Sequence, residues 1–282
     1  MIARFESDKI NNQPDTKMSS SQPGKSKNAL LVIDVGNSST ALGVWDTGNI
    51  LHASRVPTGN RHLLKTHFEE LGGHFEVERP RAVVVGSVVP EVVPWLRSLA
   101  TSLVSERFAV IGQDLPLPIP VAVREPERVG VDRVCAAAAA YERTGHACTV
   151  VDFGTAITVD LVDDQGVFAG GAILPGGQLQ ARILEQGTAA LPQVDLALPE
   201  DPIGRDTAEA ICSGICYGIP GAVRSLVEEY ATRLNHWPQV VATGGELDLF
   251  LERCDFIDSP VADLTLVGVG LAFVRHSPNT KS

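Results

Sequence analysis

Basic residues are scarce in this chain. Its 282 residues include 23 lysines and arginines against 34 aspartates and glutamates, so the formal charge at pH 7 is −11. A protein that binds nucleic acid needs clustered positive charge to face the phosphate backbone. The charge balance therefore argues against nucleic acid as the main partner.

Long hydrophobic runs are also missing. No apolar run approaches the ~18 residues that a membrane-spanning helix needs, so we predict no transmembrane segment and no membrane partner. Residues 1–28 are polar and lack the apolar stretch of a signal peptide, and we interpret them as a disordered tail. These absences predict a cytoplasmic protein.

Cysteine pairs with the spacing of a redox motif are absent. The five cysteines form no Cys-x-x-Cys pair, and their odd number fits a reducing compartment. Cys212 and Cys216 stand one helical turn apart, a spacing that also suits a metal, but small buried side chains on one helix face are the simpler interpretation. The seven histidines show no metal-ligand spacing on a recognisable helix, so we assign them no role.

Two familiar glycine-rich nucleotide motifs are missing as well. The Gly-Lys-Ser at 24–26 ends like a P-loop, but position 19 is serine rather than glycine and no strand precedes it. No Gly-x-Gly-x-x-Gly motif follows a strand either. The Gly-Val-Gly at 268–270 lies inside the last apolar helix, where a packing contact explains it. A nucleotide site in this chain must therefore be built from other residues.

The chain does contain an internal repeat of 19 residues. Residues 30–48 (LLVIDVGNSSTALGVWDTG) align without gaps with residues 148–166 (CTVVDFGTAITVDLVDDQG). The shared positions are Asp34 with Asp152, Gly36 with Gly154, Thr40 with Thr158, Val44 with Val162, Asp46 with Asp164 and Gly48 with Gly166. Each copy reads as a strand, an Asp-x-Gly turn with hydroxyls, a second strand and a hairpin. Two such units predict half-domains that face each other across a cleft.

The residue types in these turns indicate phosphotransfer. Glycine lets the backbone approach a phosphate closely, and hydroxyl and N–H groups donate hydrogen bonds to the phosphate. The aspartate binds the metal ion that accompanies it. Asp34 ends a run of four aliphatic residues, and a buried strand that ends in a carboxylate is costly unless the carboxylate has a partner. Asp152 repeats this pattern, with Thr155 directly after the glycine. A plain turn is the alternative for either copy.

The remaining pattern predicts an α/β protein with mixed sheets, because strands alternate with helices and each half begins with hairpin strands. We place an N-terminal domain at 29–146 and a C-terminal domain at 147–278. The alanine-rich segment after Gly130 predicts a helix that ends at Gly145. Residues 207–234 predict two helices that are broken around Gly218 and Pro220.

Residues 130–133, Gly-Val-Asp-Arg, open the alanine-rich helix. A carboxylate in the first turn of a helix is favourable on dipole grounds alone, so Asp132 beside a solvated Arg133 has a purely structural interpretation. The functional one is a general base, Asp132, beside a guanidinium, Arg133, that binds a carboxylate in bidentate fashion. The Thr-Gly-Gly at 243–245 likewise fits either a ring or phosphate lying against backbone or a plain strand–helix turn.

Taken in order, these segments resemble the type III pantothenate kinases, members of the acetate and sugar kinase/heat-shock 70/actin superfamily. The matching segments are DVGNSS (34–39), GVDR (130–133), DFGTAITVD (152–160), GGAILPG (170–176), TAALP (188–192), DTAEAICSG (206–214) and VATGG (241–245). The resemblance implies two duplicated ribonuclease-H-like domains of the actin-like ATPase superfamily, with ATP between them. It also implies ATP-dependent phosphorylation of pantothenate to 4'-phosphopantothenate, the first step of coenzyme A biosynthesis.

The resemblance implies roles for particular residues as well. ATP with Mg²⁺ would be bound by a phosphate loop and by Thr155. The implied loop residues are Asp34, Val35, Gly36, Asn37, Ser38, Ser39, Thr40 and Ala41. Pantothenate would be bound by Gly130, Val131, Asp132, Arg133 and Thr207, with Asp132 as the catalytic proton acceptor. Asp152 would bind a monovalent cation, K⁺ or NH₄⁺, and the enzyme would be a homodimer.

Two departures from the family pattern accompany the match. Ser38 stands where the family usually has threonine, which keeps the hydroxyl. Residues 123–126 read Val-Arg-Glu-Pro where the family tends to have Tyr-x-Asn-Pro, so Val123 and Glu125 replace an aromatic ring and an amide, while Arg124 offers a different contact. Two other interpretations stay open: another small-molecule kinase or phosphatase of the superfamily, and a nonenzymatic nucleotide-binding regulatory protein.

Overall fold

The computed structural model describes residues 29–73, 75, 82–103 and 107–276. The tail predicted at 1–28 lies outside these residues. The strands of the first sheet are β1 (Leu30–Val35), β2 (Ser39–Asp46), β3 (Asn49–Pro57), β4 (Val83–Ser87) and β5 (Phe108–Val110). Those of the second are β6 (Cys148–Phe153), β7 (Ala156–Val162), β8 (Phe168–Pro175), β9 (Gln239–Thr243) and β10 (Ser259–Pro260).

The two sheets have the same topology. The first has the order β3-β2-β1-β4-β5 and the second the order β8-β7-β6-β9-β10. In each sheet the first strand of the repeat lies at the centre, antiparallel to the hairpin strand on one side and parallel to a later strand on the other. The predicted α/β fold with two mixed, duplicated ribonuclease-H-like sheets is confirmed.

Helices cover both faces of each sheet. The helices α1 (Arg61–Gly73) and α2 (Val93–Leu103) pack on the outer face of the first sheet. The helices α4 (Gly177–Gly187), α5 (Thr207–Leu234) and α6 (Leu247–Phe250) pack on the outer face of the second. Between the sheets lie α3 (Val131–Thr144) and α7 (Leu264–His276). Because side chains alternate across a strand, each central strand contributes to both an outer core and the shared inner core.

The two inner helices join the halves of the chain. Helix α7, from the end of the chain, packs mainly on β1 and β2 of the first sheet, whereas α3 contacts β6 and β7 of the second. Gly268 makes their close crossing possible, since a Cβ there would overlap the carbonyl of Cys135. The Gly-Val-Gly at 268–270 is thus a packing contact, as the sequence indicates. The boundary between 29–146 and 147–278 stays a prediction.

Helix α3 ends as predicted and α5 does not break as predicted. Gly145 caps α3 in the left-handed conformation, with φ of 69° and its N–H donating to the carbonyl of Tyr141. The prediction of two helices over 207–234 is wrong, because α5 runs unbroken with Pro220 inside it. The apolar side chains around Pro220 are buried against the second sheet, and this packing outweighs the hydrogen bond that proline cannot donate.

Helix α5 also bears on the question of a membrane. By length and composition alone it could cross one, although 44% of its most apolar 18-residue stretch is buried inside the protein. Core helices commonly pass the same test, so this is weak support for a membrane span.

Cys212 and Cys216 lie on α5 with their thiols directed at the carbonyls of Asp195 and Ala197. The described residues contain no cluster of three or more potential metal ligands.

Candidate active site

A cleft opens between the two sheets where β1 and β6 end. Asp34 is the penultimate residue of β1 and Asp152 that of β6, while Asp132 lies in the first turn of α3. All three carboxylates line a cavity of about 290 Å³. Three acidic residues that are distant in sequence therefore line one cleft: Asp34 and Asp152, which the repeat places opposite each other, and Asp132 from outside the repeat.

The two Asp-x-Gly turns face each other across this cleft. Gly36 closes the first turn by donating its N–H to the carbonyl of Ser39 at 3.0 Å, and a Cβ at Gly36 would lie 2.9 Å from the same oxygen. From the second turn, the hydroxyl of Thr155 donates to that of Ser38 at 3.2 Å. Asn37 and Ala41 also line the cavity. The structure thus brings together most of the residues implied in ATP binding.

Val35 and Thr40 are the exceptions in the first loop. Val35 is buried in the outer core of the first sheet. The buried hydroxyl of Thr40 lies 3.0 Å from that of Thr58, which donates to the carbonyl of Gly36 at 2.7 Å. The backbone N–H of Thr58 also donates to the carbonyl of Ser38. Thr58, the residue that follows β3, therefore holds the loop in place, a role that no sequence motif indicated.

Burial and, to a lesser extent, mutual repulsion raise the pKa values of the carboxylates in the cleft. Burial, followed by repulsion from Asp132 and Asp152, raises the pKa of Asp34 to about 7. Burial and repulsion from Asp132 raise the pKa of Asp152 to about 6. The Oδ1 atom of Asp34 is buried without a hydrogen-bond partner. A buried carboxylate oxygen of this kind fits a hydrated divalent cation, which would offset the surrounding negative charge.

The first turn of α3 presents Asp132 and Arg133 to the cleft. Asp132 folds back so that its Oδ1 accepts the N–H of Arg133 at 2.8 Å. Gly130 leaves room for this carboxylate, because a Cβ there would overlap it. Burial raises the pKa of Asp132, although the N–H and the charge of Arg133 oppose the shift. Val131 packs inward against Gly86 rather than lining the cavity.

Arg133 has a partner that the sequence analysis missed. Its Nε lies 3.1 Å from both carboxylate oxygens of Asp160, and its Nη2 also bonds to Asp160. Asp160 is only 1% exposed, and opposite it on β8 stands Gly171, where a Cβ would overlap the carboxylate. A signal was available: Asp160 interrupts the apolar strand ITVDLV, the same costly placement that drew attention to Asp34.

Thr207 lies away from this cleft. It begins α5 and borders a second, shallower groove with Gln180, Leu184 and Leu191. Within one chain, therefore, the structure does not bring Thr207 to the implied pantothenate residues 130–133.

Glu125, which replaces the family asparagine, is ion-paired with Arg128 at 2.8 Å.

Three further elements line the cavity. The Thr-Gly-Gly at 243–245 lines the cavity. Gly244 has φ of 110°, and a Cβ there would overlap the backbone of Phe153, so only glycine fits this turn. The start of α7 also lines the cavity through residues 263–266, as does Arg55 from β3. Neither the start of α7 nor Arg55 was anticipated from the sequence.

Comparison with known proteins identifies the family. The family model described as type III pantothenate kinase matches residues 30–229. A type III pantothenate kinase of Ruegeria pomeroyi is 38% identical over 255 residues, which cover 89% of this chain and 98% of the relative. The chain belongs to the type III pantothenate kinase family. Another type III pantothenate kinase, of Syntrophotalea carbinolica, is 33% identical over 88% of this chain and 99% of its own length.

A solved structure supports the fold. Component A of the (R)-2-hydroxyglutaryl-CoA dehydratase of Acidaminococcus fermentans matches with a TM-score of 0.54 at 15% identity, covering 88% of this chain and 99% of that one. At this identity the likeness concerns the fold alone. Membership in a kinase family implies ATP as the phosphoryl donor, bound together with a divalent metal ion. The carboxylates and the facing turns of the cleft fit both.

Proposed function

We propose that this protein transfers the γ-phosphoryl group of ATP to the primary hydroxyl of pantothenate, which gives 4'-phosphopantothenate and ADP. This reaction is the first step of coenzyme A biosynthesis. The observation that carries the proposal is the convergence of Asp34, Asp132 and Asp152 on one cleft, in a chain of the type III pantothenate kinase family.

Asp132 is the proton acceptor in this proposal. The hydroxyl oxygen of pantothenate forms a bond to the γ-phosphorus while the bond from that phosphorus to the β,γ-bridging oxygen breaks. The electron pair of the broken bond stays on ADP, and the hydroxyl proton passes to Asp132. Burial raises the pKa of Asp132, which makes the carboxylate a better acceptor.

The remaining residues bind and position the two substrates. The turn at 36–39 would donate N–H and hydroxyl groups to the phosphates, together with Thr155. Asp34 would hold Mg²⁺, which supplies charge neutralisation at the phosphates. Asp152 would hold K⁺ or NH₄⁺. Arg133, oriented by Asp160, would bind the pantothenate carboxylate beside Gly130 and Val131.

The proposal extends to assembly and location. Thr207 would reach pantothenate if a second copy of the chain brought it to the cleft, which agrees with the homodimer that we also propose. A cytoplasmic enzyme without nucleic-acid or membrane partners agrees with the formal charge of −11 and the cysteines without disulfide spacing.

The test is turnover by the full-length chain. ADP release would be followed in a coupled assay with Mg·ATP and pantothenate, with and without KCl, and the product identified by mass spectrometry. We expect phosphopantothenate, faster with KCl, and a kcat lowered by ~10²–10⁴-fold in Asp132→Asn with ATP binding nearly intact. Glu228→Gln, which removes an exposed carboxylate on α5, is the matched control.

Two outcomes would contradict the proposal. Turnover with other hydroxyl compounds but not with pantothenate would indicate a different kinase of the superfamily. Nucleotide binding without turnover of any acceptor would indicate a nonenzymatic binding protein. Unchanged turnover in Asp132→Asn would remove that residue from the role of base.

A further inference from the structure

Arg55 stands at the phosphate loop without an assigned role. It lies on β3 directly opposite Ala41 of β2, and its exposed side chain lines the same cavity as both Asp-x-Gly turns. Its Nη1 donates to the hydroxyl of Ser39, the last residue of the first turn, at 3.3 Å. The guanidinium therefore lies beside the groups to which the phosphates are assigned.

The charge of Arg55 reaches both walls of the cleft. Burial and neighbouring carboxylates raise the pKa of Asp34 and of Asp152, and the positive charge of Arg55 opposes both shifts. Asp34 belongs to the first sheet and Asp152 to the second. Arg55 lines the cavity that both turns border, where the phosphates of a bound nucleotide would be.

The other arginine of the cavity already has a carboxylate partner. Arg133 is held by Asp160 through Nε and Nη2, and that carboxylate offsets its charge. Among the ion pairs of the described residues, none joins Arg55 to a carboxylate. Arg55 can therefore turn onto a ligand at the cost of one long hydrogen bond to a hydroxyl.

We propose that Arg55 is a catalytic residue that contacts the γ-phosphoryl group of ATP and stabilises its charge during transfer. The inference rests on the proposed kinase function. A guanidinium suits this task because its planar donors match two phosphate oxygens at once. Phosphoryl transfer depends mainly on positioning and on neutralising charge at the transferring group, and an arginine supplied within the same chain can contribute a large part of the rate.

The first readout is nucleotide binding, which does not need pantothenate. Calorimetry with Mg²⁺ would give the Kd of ATP and of ADP for the full-length chain, for Arg55→Ala and for Arg55→Lys. We expect Arg55→Ala to reduce the preference for ATP over ADP by ~10-fold, equivalent to ~1.4 kcal/mol, with little change in the Kd of ADP. Arg55→Lys keeps the charge and should keep part of the preference.

The second readout is turnover. We expect kcat to fall by ~10²-fold or more in Arg55→Ala, within the range of catalytic arginines. Arg143→Ala removes an exposed arginine from the last turn of α3, outside the cleft, and should leave both readouts unchanged. Because Arg55 is exposed, we expect its variants to fold, which thermal unfolding would check.

The outcomes separate this inference from the kinase assignment. Wild-type chain that fails to phosphorylate pantothenate contradicts the assignment, while the ATP preference still tests Arg55. An unchanged ATP preference in Arg55→Ala overturns the contact. A lost preference with kcat within ~3-fold of wild type confines Arg55 to binding and overturns its catalytic role.

Discussion

Replacing Asp34 by asparagine should stabilise the ligand-free protein while it abolishes activity. The carboxylate of Asp34 is buried, is repelled by the charges of Asp132 and Asp152, and has an Oδ1 atom without a hydrogen-bond partner. Without a cation, this arrangement opposes folding whenever Asp34 is ionised. Asparagine has nearly the same shape and no charge, so it removes the repulsion and also the proposed Mg²⁺ ligand.

The magnitude follows from the pKa of Asp34, which rises from 3.8 to about 7. Each pKa unit corresponds to ~1.4 kcal/mol, so ionisation of Asp34 lowers the free energy of unfolding by at most ~4 kcal/mol. Asp132 and Asp152 cause part of the shift and themselves take up protons, which leaves an expected gain of ~1–3 kcal/mol. For a chain of this size the gain is ~2–10 °C in Tm.

The gain should depend on pH in a defined direction. The pKa of Asp34 is higher in the folded than in the unfolded state, so the stability linked to its protonation is complete below ~pH 4 and is lost as the pH rises to ~7. Asparagine does not titrate. The difference in free energy of unfolding between variant and wild type should therefore widen from ~pH 4 to ~pH 7 and stay constant above it.

The assay is thermal or denaturant unfolding across this pH series, in buffer that contains a chelator and no nucleotide. Asp114→Asn is the control of opposite sign. Although burial opposes the shift, hydrogen bonds from Arg97 and from the N–H of Val110 hold the pKa of Asp114 below its usual value. That variant should lose stability at neutral pH. A Tm for Asp34→Asn at pH 8 that is equal to or below that of wild type would refute the reasoning.

Three further variants test how the cleft is built. Gly130→Ala should lower kcat by ~10-fold or more without a change in Tm, because the backbone φ of −57° suits alanine while the new methyl group displaces the Asp132 carboxylate. The control is Gly187→Ala, where no heavy atom lies near the added Cβ, and equal kcat values in the two variants would contradict the prediction. Thr58→Val should cost ~1–2 kcal/mol of stability and raise the KM for ATP, since the loop loses its brace, whereas Thr58→Ser should restore both. Gly171→Ala should cost ~1–3 kcal/mol and raise the KM for pantothenate, because a methyl group there overlaps the carbonyl of Val159 and the carboxylate of Asp160 and so displaces Asp160 from Arg133. An unchanged KM would separate Arg133 from the substrate.

Much of the candidate site could be predicted from the sequence because its signals are local. A carboxylate at the end of an aliphatic strand is recognisable without knowledge of the fold, and its recurrence at Asp34 and Asp152 indicates duplication. Asp132 was marked by its place at the start of a strong helix. The symmetry of the repeat predicted that Asp34 and Asp152 face one cleft, and the family resemblance added Asp132; all three line the same cavity.

Other features depend on contacts that no local pattern records. Pro220 was expected to break a helix, and burial of the side chains around it keeps α5 continuous. Thr58 reaches the first turn because β3 returns beside β2, and its importance depends on that register. Thr207 was grouped with the residues of the cleft by motif, but α5 begins elsewhere in the same chain.

By itself the sequence determined the duplicated α/β architecture and the acidic turns, because strand periodicity, glycine turns and strand-terminal carboxylates are properties of neighbouring residues. Only the tertiary structure decided which charges meet: Arg133 is bound by Asp160 from the opposite half, while Arg55 stays available beside the loop. The physical reason is that electrostatic and packing energies depend on distance in space. That distance is set when α3 and α7 pack between the two sheets.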